Sequence, residues 1–192
     1  MQIHAYGVTA MKKHKPCVLI AILLPVLLIG LSSCATTSIY LVRHAEKVTN
    51  TSSSNPPLTA AGSERAVALK QALQHASIDA IIVSDLQRTQ LTAQPLATHL
   101  NLQLIVIPVR NLTTAHHVQA VADEITSNWA GRDVLVVSHN ELLQQIGEKL
   151  RTPALPVINE DTGYDNIFVI KKPGNSSGIS SVAHFRYGAP AQ

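Results

Sequence analysis

Three apolar, β-rich runs in this chain each stop at a polar pair or triplet: Arg43-His44 after Ser38-Ile39-Tyr40-Leu41-Val42, Ser84-Asp85 after Val83, and Ser138-His139-Asn140 after Val134-Leu135-Val136-Val137. Between them lie segments with apolar residues at helical spacing, such as Ala66, Leu69, Ala72 and Leu73. Strands are expected over 38–42, 78–83, 102–109 and 133–137, and helices over 59–76, 87–100, 118–129 and 141–150. Thr59 is placed to cap the first helix, and Asp85 the second. Runs at 166–170 and 181–186, around the turn Lys172-Pro173-Gly174-Asn175, read as a closing hairpin. Uninterrupted apolar strands separated by helices are buried on both faces. The fold expected is α/β, a three-layer sandwich with a mostly parallel central sheet and an antiparallel edge hairpin. No repeat, heptad or second domain is visible.

The first 34 residues have a different character. Lys12, Lys13 and Lys15 precede an apolar stretch from Cys17 to Leu31, which ends in Ser32-Ser33-Cys34. A cationic start, a short hydrophobic core broken by Pro25 and then small residues form the pattern of a secretory signal peptide, too short for a spanning helix of ~20 residues. Translation starting at Met1 or at Met11 fits equally. The chain has 15 Lys+Arg against 12 Asp+Glu. Without the three leader lysines the balance is neutral, so no basic stripe remains for nucleic acid. The boundaries expected are a signal peptide over 1–33, a tether over 34–37 and one domain over 38–192. Leu31-Ser32-Ser33-Cys34 resembles the lipobox of bacterial lipoproteins, which implies lipid modification of Cys34. Ala35 in the next position implies the outer membrane, the domain facing the periplasm. The tether reaches ~14 Å, so the domain is expected close to the lipid surface.

In open α/β sheets ligands gather at the carboxyl ends of the strands. That rule brings Arg43, His44, Arg88 and His139 to one rim, although 96 positions separate the first from the last. Guanidinium forks bind phosphate oxygens bidentately, and imidazole acts as nucleophile or proton carrier near neutral pH. Two of each at one sheet edge form a phosphoryl-transfer constellation. His116 and His117 lack a third ligand at metal spacing, so neither a metal nor a cofactor is expected.

Tyr40-Leu41-Val42-Arg43-His44-Ala45-Glu46-Lys47 resembles the signature of the histidine phosphatase superfamily, also called phosphoglycerate-mutase-like. The resemblance continues through Pro57-Leu58-Thr59-Ala60-Ala61-Gly62 with Arg65-Ala66, through Val83 to Thr89 with Thr92-Ala93, and through Val134 to His139. Tyr164-Asp165-Asn166 also resembles small members of the group. The resemblance implies that His44 is the nucleophile accepting the phosphoryl group, and that Arg43, Arg88 and His139 bind and polarise it. Ala45 and Ser138 stand where the common form has glycine, and both are small enough to keep the pocket. The acid that protonates the leaving group is not identified by the resemblance. Asn140 occupies the place where one branch has aspartate, and 111–117, where another branch has an acid, hold no carboxylate. Glu46, His116, His117 and Glu141 remain candidates.

The function expected is a metal-independent phosphomonoesterase acting on a small phosphorylated substrate. It would be exported, anchored to the membrane by lipid and independent of nucleic acid. The competing reading is an envelope lipoprotein on the same fold that binds phosphate or another anion without turnover. Oligomeric state is not legible.

Overall fold

The computed structural model describes residues 35–159, 161–174 and 179–190; the expected leader and Cys34 lie outside them, as do residues 175–178 of the hairpin connection. The chain divides into Met1–Ser33 and Cys34–Gln192, and the sheet belongs to the second unit. Its strands are β1 (Thr37–Arg43), β2 (Ile78–Val83), β3 (Leu104–Val106), β4 (Asp133–Ser138), β5 (Asn166–Lys172) and β6 (Ser181–Arg186). The helices between them are α1 (Ala60–Leu73), α2 (Gln87–Leu100), α3 (Thr114–Asn128) and α4 (Asn140–Lys149).

The spatial order is β3-β2-β4-β1-β5-β6. β1, β2, β3 and β4 run parallel, β5 pairs antiparallel with β1, and β6 antiparallel with β5. Successive strand residues point to opposite faces, and in β1, β2 and β4 both faces are almost wholly buried, whereas β6 at the edge is exposed. On one side Leu41, Ile82, Val134 and Val136 pack against Val121 and Ile125 of α3 and Ile146 of α4. On the other, Val42, Ile81, Leu135 and Val137 meet Leu69 of α1 and Leu96 of α2. The expected three-layer sandwich with its antiparallel edge hairpin is therefore the fold observed.

Local chemistry sets the helix starts. Thr59 Oγ1 accepts from the Gly62 amide at 3.0 Å, as a capping threonine should. A Cβ at Gly62 would strike the Glu46 carbonyl, so glycine lets α1 lie directly against the chain leaving β1. Thr113 Oγ1 accepts from the His116 amide at 3.3 Å, and α3 begins four residues earlier than its apolar pattern suggests. His116 and His117 consequently sit in the first turn of a helix rather than on a loop.

Two expectations need correction. Strand 102–109 shrinks to Leu104–Val106, because Leu102 N donates to Ala97 O in the left-handed cap at Asn101 (φ 54°) and Pro108 lacks an amide for the ladder. Asp85 does not cap α2: Leu86 holds that position with no side-chain bond. Asp85 instead accepts from the Val109 amide at 2.8 Å and from Arg110 Nε at 2.6 Å, tying the chain after β3 to the end of β2. Those bonds hold its carboxyl down at about 2 against the cost of burial.

Candidate active site

The carboxyl ends of β1, β2 and β4 meet because these strands are neighbours in the sheet. Arg43 pairs in register with Ser138, and the His44 amide donates to the Ser138 carbonyl at 2.9 Å, carrying the ladder one residue past β1. His139 follows immediately, as the N-cap of α4. Arg88 sits in the first turn of α2. Two helix N-termini thus end at the same rim, where their dipoles favour an anion, and the Gln87 amide of α2 is taken by Asn55 Oδ1 at 2.8 Å. Thr92 couples the pieces: its Oγ1 donates to the Arg88 carbonyl at 2.6 Å and accepts from the Ala45 amide at 2.8 Å.

His44 is only 4% exposed. Its Nδ1 lies 2.8 Å from the Ala45 carbonyl. A carbonyl can only accept, so Nδ1 carries the proton and Nε2 presents a lone pair. Burial, together with the nearby His139, Arg88 and Arg43, outweighs the pull of the Ala45 carbonyl and pushes the pKa down to about 3. The ring is neutral at physiological pH.

His139 is anchored the other way round. Its Nδ1 is 3.4 Å from Arg88 Nη2, which can only donate, so its Nε2 carries the proton and donates to Ser84 Oγ at 3.1 Å. Ser84 Oγ also meets Thr89 Oγ1 at 2.9 Å and accepts from the Leu86 amide at 3.3 Å. Burial, Arg88 and His117 lower this pKa to about 3 as well, against the pull of Asp85.

The two imidazole centroids are 5.4 Å apart. Burial lowers the pKa of Arg88, whose Nε has no hydrogen-bond partner among the described residues. Tyr164, on the loop before β5, lies 3.9 Å beneath the Arg43 guanidinium and 6.1 Å from the His44 ring, and it acts electrostatically on Arg88. The anticipated Arg43, His44, Arg88 and His139 therefore converge. Tyr164 belongs with them, though the residue pattern alone named it only as part of a motif. Ala45 is fully buried and Ser138 nearly so, in keeping with small residues beside the pocket.

The four proton-donor candidates fall in different places. Glu46 is bound by Arg65, with Nε at 2.8 Å and 2.9 Å and Nη2 at 2.7 Å, while Arg65 Nη1 reaches the Ala189 carbonyl. His116 is exposed. His117 is buried, with its Nδ1 2.9 Å from the Pro108 carbonyl, and bears electrostatically on His139. Glu141 bears on Arg88. Among the described residues no group of three or more His, Cys, Asp or Glu is arranged to hold a metal ion.

Residues 39–109 match the model of the histidine phosphatase superfamily (branch 1). A stretch of 75 residues is 40% identical to the Yersinia enterocolitica protein named "Probable phosphoglycerate mutase GpmB", covering 36% of this chain. The chain spans about a third (35%) of that relative's length. The protein histidine phosphatase SixA complexed with tungstate superposes with a TM-score of 0.60 at 22% identity, over 78% of this chain and 96% of that one. A mycobacterial glucosyl-3-phosphoglycerate phosphatase gives 0.54 at 17% identity, over 71% and 90%. At these identities the two structures speak for the fold.

Proposed function

Because the chain belongs to the histidine phosphatase superfamily, we propose that it is a metal-independent phosphomonoesterase working through a phosphohistidine at His44. One observation carries the reading: the Nδ1–H bond to the Ala45 carbonyl leaves a neutral Nε2 with its lone pair, on a buried ring 5.4 Å from that of His139 and within the electrostatic reach of Arg43 and Arg88.

In the first step His44 Nε2 attacks phosphorus and the ester P–O bond breaks in line. Arg43 and Arg88 balance the charge on the equatorial oxygens, and the leaving oxygen takes a proton. Charge now develops on the His44 ring, where Nδ1–H strengthens its bond to the Ala45 carbonyl. Water then attacks the phosphohistidine and gives its proton to the group that protonated the leaving oxygen; the P–N bond breaks, and the electron pair returns to Nε2. Splitting one hydrolysis into two substitutions lowers each barrier. The donor to the leaving oxygen narrows to Glu141 and His117, whose charges are felt at Arg88 and His139.

Water is the acceptor in this reading, which favours hydrolysis over mutase chemistry. The domain would work in the bacterial envelope, anchored through a lipid on Cys34. The cationic start, apolar core and Ser-Ser-Cys ending of the leader support that placement. Labelled palmitate incorporated by the full chain but not by Cys34→Ala tests the anchor. Hydrolysis of aryl phosphates by residues 35–192, lost in His44→Ala, tests the nucleophile. Binding of phosphate without turnover at any pH would leave a binding protein instead.

A further inference from the structure

A concavity runs along α4, the helix that His139 caps. The segment after α4 folds back along that helix, held at two points. The Leu155 amide donates to Gln144 Oε1 at 3.0 Å, and a Cβ at Gly147 would come within 2.9 Å of Thr152 Oγ1 and 3.3 Å of the Leu155 side chain. Between helix and segment lies a cleft of about 320 Å³, inside the range of ~300–1,000 Å³ usual for small-molecule sites. Leu143, Leu155, Ile158 and Phe168 are among its walls, and Val157, 99% exposed, lies at its outer lip.

Two residues of this lining are tied through the chain to residues of the anion site. Asn140, which lines the cleft, directly follows His139. Ile158 packs on Gly163, where a built Cβ would lie 3.1 Å from the Ile158 Cβ. Gly163 in turn precedes Tyr164, whose ring is 6.1 Å from His44. Among the described residues the lining carries no Lys, Arg, Asp, Glu or His; its polar side chains are Asn140 and Gln144, and Gln144 Oε1 is spent on the Leu155 amide.

We propose that this cleft is the leaving-group subsite, and that the substrate is a phosphate monoester of an apolar alcohol. The proposal rests on the phosphomonoesterase reading above. A polyhydroxylated or charged leaving group entering here would strip water from polar atoms and find one amide in exchange. An alkyl group loses nothing and gains the transfer energy of each buried methylene.

The test uses residues 35–192 and a series of n-alkyl phosphates from methyl to octyl, with glycerol phosphate as the polar comparison. Wild type is expected to gain about two- to fourfold in kcat/KM per methylene until the cleft is full. Val157→Asp and Ala154→Trp change exposed positions of the lining, so folding is not at issue. Both are expected to flatten the series while methyl phosphate turnover stays within twofold. Alkyl phosphates hydrolysed without regard to chain length, or a slope unchanged in both variants, would overturn the subsite and leave the phosphatase intact. Hydrolysis of no ester at all would remove both readings together.

Discussion

His44 and His139 face each other edge to face, centroids 5.4 Å apart and planes at 61°, and their protons are fixed on opposite nitrogens. His44 donates through Nδ1 to the Ala45 carbonyl, while His139 donates through Nε2 to Ser84. His44 thereby keeps the lone pair on Nε2 that the proposed nucleophile needs. His139 can hydrogen-bond an anion through Nδ1 only after gaining a proton there and releasing the Arg88 guanidinium to the same anion.

Anion binding should accordingly take up a proton. Sulfate does not titrate near neutrality, so calorimetry at pH 7 in buffers of different ionisation enthalpy reads the uptake directly. Close to one proton per sulfate is expected for the wild type and near zero for His139→Gln. Equal, zero uptake in both would mean that His139 stays neutral against the anion.

The same two rings make the fold sensitive to acid. Their pKa values lie at about 3 in the folded domain and near 6.5 when unfolded. Between those limits the unfolded chain binds more protons, so stability is full above about pH 6.5 and falls as pH drops toward 3. The slope is about 1 kcal/mol per pH unit for each histidine. Urea midpoints measured from pH 7 to 4 should fall less steeply for His44→Asn than for wild type; identical slopes would contradict the assigned burial.

The ring face of Tyr164 lies 3.9 Å from the Arg43 guanidinium. Removing that face in Tyr164→Leu should raise KM about three- to tenfold, the range expected of a desolvated cation–π contact, and Tyr164→Phe should stay close to wild type. A Phe variant as poor as Leu would shift the role to the hydroxyl and its influence on Arg88.

Glu46 serves the fold. With Arg65 only 6% exposed at its side chain, Glu46→Gln leaves a buried guanidinium without its countercharge and should cost about 2 kcal/mol of stability. The kcat of the folded fraction should remain within twofold. A selective loss of kcat on alkyl esters, with aryl esters spared, would instead make Glu46 the leaving-group acid. The same comparison on Glu141→Gln and His117→Asn separates the two remaining candidates.

The sheet and the convergence of the four candidate residues were legible because their determinants are local or follow from strand order. β2 and α2 have the bounds that their apolar patterns indicate. Arg43, Arg88 and His139 sit next to strand ends, where a parallel sheet must bring them together. Tertiary contacts were not legible. Asp85 looks like a cap until Val109 and Arg110, 24 and 25 residues on, are folded onto it. Nothing near Tyr164 in the chain announces Arg43 as its partner, 121 positions earlier. His117 looked like loop chemistry because the cap at Thr113 lengthens α3 beyond its apolar stripe. The cleft beside α4 depends on how residues 151–159 fold back, which no periodicity encodes.

The covalent step is the most exposed part of this account. Brief incubation of the domain with a ³²P-labelled aryl phosphate, quenched in alkali and digested, should yield one labelled peptide containing residue 44. Its label should be stable to base and lost in acid, as an N-linked phosphate requires, and absent from His44→Asn. Turnover by the wild type with no acid-labile label, or label carried by any residue other than His44, would contradict the mechanism.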